Sequence, residues 1–255
     1  MSVQIGHASM DENKRATGGM AGDQTGKEIC IRSWYRGGWT VLLRAKDRAV
    51  RQKIADSCAA ACCNDRLGYD QGGRNTGLQA ARQAGWDFRK ITAKAEFDCS
   101  SLVTACVQSA GVSIWDGGNA PTTRTLEKTL TATGAFDVLR DEKFLTGTEY
   151  LLPGDILLKP GSHVVIVLSI DRVGNEIAGS VTYSVVLPLV TYGDAGELVR
   201  SIQQLLLLRC ADPKGVDGKF GKNTRAAVAQ LQAAAGIEVD GKVGIDTWSV
   251  LLGKE

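Results

Sequence analysis

The chain has 255 residues, 44% of them hydrophobic and 23% charged, and a net charge of only +2. That length can bury one large core and a second small one, and the composition excludes a disordered, collagenous or low-complexity protein. The near-neutral balance argues against nucleic acid as a partner, and the lack of any long apolar run argues against a membrane partner or span.

Met1 to His7 carries neither the basic flank nor the apolar run of a secretory signal, so the expectation is a chain made in a cytoplasm. Seven cysteines without a repeated framework fit reduced thiols better than a disulfide scaffold. Gly18 to Gly26 is a glycine-rich loop, but it lacks the Gly-Lys-Ser/Thr ending of a phosphate cradle and reads instead as the wall of a cleft. Ile31 to Trp39 is strand-like, aromatic and basic; Trp34, Tyr35 and Trp39 could stack on sugar faces or peptides, or serve ordinary packing. From Arg44 to Asn64, Val50, Ile54, Cys58 and Ala61 with Cys62 mark an amphipathic helix. Cys58, Cys62 and Cys63 lack the further ligands that a tetrahedral metal site needs, and the chain holds only two histidines, His7 and His163. Buried thiols are expected there, and neither a metal nor an organic cofactor is.

Tyr69-Asp70-Gln71-Gly72-Gly73 comes next, followed by an insertion from Arg74 to Ala95 that should add a short helix beside a cleft. In Glu96-Phe97-Asp98-Cys99-Ser100-Ser101, Asp98 can cap a helix that begins near Cys99 and stops at Gly111. A thiol at a helix N-terminus meets unpaired N–H groups and the positive end of the dipole, so a lowered pKa and a nucleophilic role are expected for Cys99. Ile156 to Leu158 and Val164 to Leu168 read as strands joined by a turn at Lys159-Pro160-Gly161-Ser162. His163 then stands at the mouth of an antiparallel hairpin. Facing the N-terminus of the helix, its imidazole could take the thiol proton and return it to a leaving amine.

Tyr69 to Gly73, Phe97-Asp98-Cys99-Ser100, Pro153-Gly154-Asp155 and Gly161-Ser162-His163, in that order, resemble the NlpC-type cysteine peptidases, a papain-like family of wall hydrolases. The resemblance spans roughly residues 64 to 170. It implies that Cys99 attacks the carbonyl carbon, that His163 is base and then acid, and that the Tyr69 hydroxyl lies near the oxyanion. The family's third polar residue falls in Asp171 to Glu176, where Asn175 matches best by spacing and Asp171 lies closer to the strand end. Gly6-His7-Ala8-Ser9, with Gly22-Asp23-Gln24-Thr25-Gly26-Lys27-Glu28, resembles endolysin-type hydrolases of intestinal Gram-positive bacteria and their phages, which leaves His7 as an alternative third catalytic group.

Near the C-terminus, Val216 to Thr224 returns as Val239 to Thr247. Asp-Gly and Phe-Gly in these copies suit positive-φ turn positions, and the Asn/Asp-plus-Thr pair that ends each copy can cap a following helix. Val199, Ile202, Leu205, Leu206 and Cys210 recur at helical spacing before the first copy; Val228 and Leu231 follow it, and Trp248, Leu251 and Leu252 close the chain. With Gly193-Asp194-Ala195-Gly196-Glu197-Leu198-Val199 and Gln203, this arrangement resembles the type 1 peptidoglycan-binding domain, a three-helix module. From Val185 onward eight Lys/Arg balance eight Asp/Glu, so binding should rest on shape and hydrogen bonds.

The expected architecture is α+β: a papain-like domain over residues 1–182, then a three-helix peptidoglycan-binding domain over 185–255. The expected function is endolysin-like cleavage of an amide bond in the peptidoglycan stem peptide. Amidase cleavage at the muramyl lactyl group through the same Cys/His site, or wall binding without catalysis, are the alternatives. An enzyme of this kind would wait in the host cytoplasm until lysis and then act on the bacterial wall. Its oligomeric state is not legible in the chain.

Overall fold

The computed structural model describes residues 3–169 and 187–253, which fall in two compact units. Asp171, Asn175 and the Val-rich connection before Val185 lie outside the described residues.

The larger unit is built on a six-stranded antiparallel sheet in the order β2-β1-β8-β7-β3-β6. Its strands are β1 (Gln4–Ala8), β2 (Ile29–Ser33), β3 (Val41–Ala45), β6 (Phe136–Leu139), β7 (Ile156–Lys159) and β8 (His163–Ser169). Two helices, α1 (Arg48–Cys62) and α3 (Cys99–Ser109), pack on each other and against β8. Val165 and Val167 belong to a core formed with Val3, Ile5, Trp39, Leu42 and Leu157. Val164, Ile166 and Leu168 point the other way and are buried as well. A strand covered on both faces accounts for the unbroken β-branched run of β8. A parallel pair, β4 (Leu67–Tyr69) and β5 (Ala95–Phe97), is connected through α2 (Arg74–Gln83), the helix expected in the insertion. Short helices α4 (Leu126–Ala132) and α5 (Glu142–Leu145) flank β6.

The Pro153-Gly154-Asp155 corner has a structural cause. Gly154 has φ +84°, and a Cβ there would stand 2.0 Å from the Arg51 carbonyl oxygen of α1, so only glycine fits. Asp155 is wholly buried and takes both Nε (2.8 Å) and Nη2 (2.6 Å) of Arg44, a bidentate pair that fastens β7 to β3. No helix among the described residues is long and apolar enough to cross a membrane.

The smaller unit holds α6 (Glu197–Leu208), α7 (Lys222–Ala235) and α8 (Ile245–Leu252) around Val199, Ile202, Leu206, Phe220, Val228, Leu231, Trp248 and Leu251. Cys210 is not on the core face: it is exposed, beyond the end of α6, with φ +54°. The sequence repeat is a repeated hydrogen-bond set. Gln203 Nε2 donates to Asp217 Oδ1 (2.9 Å), the Lys219 carbonyl (3.1 Å) and Thr224 Oγ1 (3.0 Å), while its Oε1 accepts from Gly218 N (2.8 Å). Gln232 makes the same four bonds to Asp240, Lys242, Thr247 and Gly241. Thr224 and Thr247 therefore do not cap helices as expected; Gly221 and Gly244 hold the N-cap positions without a side-chain cap, and the threonines, inside the first turn, close a buried glutamine network. Gly218 (φ +74°) and Gly241 (φ +68°) use glycine's freedom, whereas Gly221 has φ −90°.

Candidate active site

Strand β5 ends where Asp98 turns the chain, and α3 starts at once with Cys99. Asp98 Oδ1 accepts from Ser101 N at 2.6 Å and Ser101 Oγ accepts from Asp98 N at 2.9 Å, a reciprocal cap that fixes the first turn. Arg74 at the start of α2 anchors the same carboxylate: its Nε donates to Asp98 Oδ2 at 2.7 Å, and its Nη atoms donate to Ser100 Oγ and to the Ala120 and Pro121 carbonyls. Nothing in the sequence pattern marked Arg74, because a helix-borne arginine is ordinarily solvated.

Cys99 is 6% exposed, and the backbone N–H groups of Val164 and Ser100 are directed at its sulfur. The sulfur thus sits against the residue next to His163. Its acidity departs from expectation: burial, and then the Asp98 charge, push the thiol up to about 12, and those two N–H groups do not offset them. Burial, and after it the carboxylate that caps the helix, outweigh the advantage of the helix terminus.

His163 opens β8 after a tight turn in which Ser162 N donates to the Lys159 carbonyl at 3.0 Å and Gly161 has φ +75°. Its Nε2 is buried with no hydrogen-bond partner among the described residues. Burial and then Arg32 hold the imidazole down to about 4, against the opposing pull of Asp98. His7, on the neighbouring strand β1, lies edge-on to it, with ring centroids 4.9 Å apart and planes at 72°. Burial, His163 and Arg32 push His7 down to about 3. Tyr35 packs 6.0 Å from His7 and 5.6 Å from Trp39, and Trp39 lies 6.1 Å from His163, so the two imidazoles sit within an aromatic ring. Trp39 itself is 5% exposed and donates Nε1–H to the Tyr35 carbonyl at 3.2 Å, so it is core and not a free stacking platform.

Tyr69 ends β4 with its hydroxyl accepting from Gln71 Nε2 at 3.2 Å. Burial pushes it up to about 12, with the Cys99 and Asp98 charges contributing, so the ring belongs to the same neighbourhood as the sulfur. The fold brings Cys99, His163, Tyr69 and His7 together. Asn175 and Asp171 are outside the described residues.

The glycine-rich loop gives its N–H groups to this chain's own carboxylates: Gly18 and Gly19 donate to Asp70, Gly22 to Glu96 (2.7 Å) and Gln24 to Glu28 (2.8 Å). Glu28 also accepts from Tyr69 N, which ties the loop to the site. Beyond it, an open cleft of about 850 Å³ runs from His7 past Thr25, Lys27 and Arg32. None of the seven cysteines forms a disulfide; Cys58 is buried, and Cys62 and Cys63 are half-buried. Among the described residues no group of three or more His, Cys, Asp or Glu could hold a metal ion.

Residues 5–173 match the family model described as "Endolysin-like domain", and residues 195–251 match the one described as "Putative peptidoglycan binding domain". A stretch of 71 residues, 27% of this chain, is 39% identical to "Uncharacterized protein in bpoA1 3'region" of Kitasatospora aureofaciens. The chain spans 59% of that relative's length.

Proposed function

The chain belongs to the endolysin-like domain family, and on that premise we propose that it hydrolyses an amide bond of peptidoglycan through Cys99 and His163, while its C-terminal unit holds the wall. The observation that carries this reading is a helix-borne thiol that meets the backbone N–H of Val164, the residue after His163, together with a His163 whose buried Nε2 has no partner among the described residues. A cysteine at a helix N-terminus beside a histidine at the mouth of a sheet hairpin is a papain-like arrangement.

The chemistry follows from two neutral groups. As Sγ bonds to the amide carbon, its proton passes to Nε2 of His163, and negative charge moves to the carbonyl oxygen. The backbone N–H of Cys99 at the start of α3 and the Tyr69 hydroxyl would stabilise that oxygen. The imidazolium then protonates the departing amine, leaving a thioester. Water, deprotonated by the same nitrogen, releases the carboxylate and restores the thiol. Of the candidates for the group that orients His163, His7 is the one with a described position, edge-on to the ring. We place the scissile bond within the stem peptide.

A test lies in the acid limb of the pH profile. The working base is unprotonated His163, so activity is lost as pH falls through its pKa, here about 4. An imidazole titrating at its ordinary value would leave about a tenth of the activity at pH 5.5. Here nearly all should remain at that pH, measured as kcat/KM on soluble muropeptides. An acid limb centred near pH 6.5 would contradict the buried neutral pair.

A further inference from the structure

We infer that Arg32, with Lys14 and Lys27, holds a free carboxylate of the peptide beside the scissile amide, so that the enzyme favours acidic stem peptides over their amidated counterparts. The inference rests on the hydrolase reading above and adds the substrate class to it.

Cys30 is the cross-strand partner of His7, and Arg32 lies two residues further along β2 on the same face of the sheet. The exposed Arg32 guanidinium stacks 4.7 Å over the Tyr35 ring, which in turn packs against His7. This puts a cation on the face of the sheet that carries His7, and its charge is felt by both imidazoles. The cleft of about 850 Å³ has room for several peptide residues, and Lys14, Lys27 and Arg32 line it.

Its acidic residues are Asp11 and Glu12. Asp11 Oδ1 accepts from Asn13 N and Arg15 N and its Oδ2 is buried without a partner among the described residues, while Glu12 accepts from Met20 N. The ion pairs of the described residues include none of the three cations, which outnumber the two carboxylates of the cleft. A planar guanidinium braced on an aromatic face matches a carboxylate in a bidentate fashion, which a primary amide cannot reproduce.

The experiment compares peptide pairs in which each carboxylate flanking the scissile bond is free or converted to a primary amide. Turnover is read with the wild type, and binding is read by calorimetry with Cys99→Ala. One free carboxylate should be favoured by about tenfold or more, mostly through KM. Arg32→Gln should remove that preference, Arg32→Lys should retain part of it, and Lys27→Gln should weaken it. Each variant's circular dichroism should match the wild type, since Arg32 and Lys27 are exposed. Equal turnover and equal binding of both members of every pair would overturn the inference. So would a preference that survives in folded Arg32→Gln. Arg32-dependent binding without Cys99-dependent turnover would keep the inference and sink the hydrolase reading; turnover without discrimination would do the reverse.

Discussion

Replacing Cys99 by alanine should lower wall lysis by about ten-thousand-fold or more, because no neighbouring group can form the covalent intermediate. Cys106 lies deep in α3 with its sulfur wholly buried beside Cys58, so it cannot substitute. The fold should survive in Cys99→Ala, since Asp98, Ser101 and Arg74 hold the first turn of α3 without using the sulfur. His163→Ala should cost a comparable factor, and Cys106→Ala should keep most of the activity. Serine at position 99 should be nearly as inactive as alanine, because a hydroxyl is a much weaker acid than a thiol and burial makes the His163 imidazole a weak base for it. Turbidity of purified walls and the melting temperature of each variant check these expectations together. A stable Cys99→Ala protein that lyses walls at the wild-type rate would contradict the chemistry proposed here.

The second large effect is expected from valine at both Gly218 and Gly241. Each glycine has positive φ and donates its N–H to the buried glutamine of its repeat. A Cβ at Gly241 would stand 2.9 Å from Arg225 Cγ, and one at Gly218 would stand 3.2 Å from the Gly196 carbonyl oxygen. A β-branched residue in that region costs about 1–3 kcal/mol per site before any clash. A unit of this size has a stability of roughly 3–10 kcal/mol, so the pair should unfold it. Lysis of intact walls should then drop by about tenfold or more while turnover of soluble muropeptides persists, because retention raises the effective substrate concentration without touching the scissile bond. Equal loss on both substrates would show that the small unit shapes the active site; unchanged wall lysis would remove the retention role.

Much of this was legible because local rules and tertiary structure agree. The Asp98 cap, the Gly161 turn and the β-branched run after His163 each predict an element by themselves, and the structure holds α3 and the β7-β8 hairpin there. The positive-φ glycines of the repeat were readable for the same reason, but its glutamine network was only half visible: Gln203 stood out, whereas Gln232 sits among alanines and glutamines that a solvated helix would also carry. Acidity was misjudged at Cys99 because a helix terminus is a local property, while burial and the nearness of Asp98 arise from packing. Arg32 and Arg74 were missed for a related reason. An arginine's role depends on what long-range contacts bring to it, here the Tyr35 ring and the Asp98 carboxylate. Trp39 likewise read as a possible platform until the sheet closed over it.

The most direct test of amide hydrolysis at this site is mass spectrometry of the fragments released from purified peptidoglycan by the wild-type protein, with Cys99→Ala as the control. The proposed reaction predicts soluble products with a new free amino group on a stem-peptide residue and intact glycan strands, all absent from the control. Release of new reducing sugar ends without any new amine, or the same products from Cys99→Ala, would contradict it.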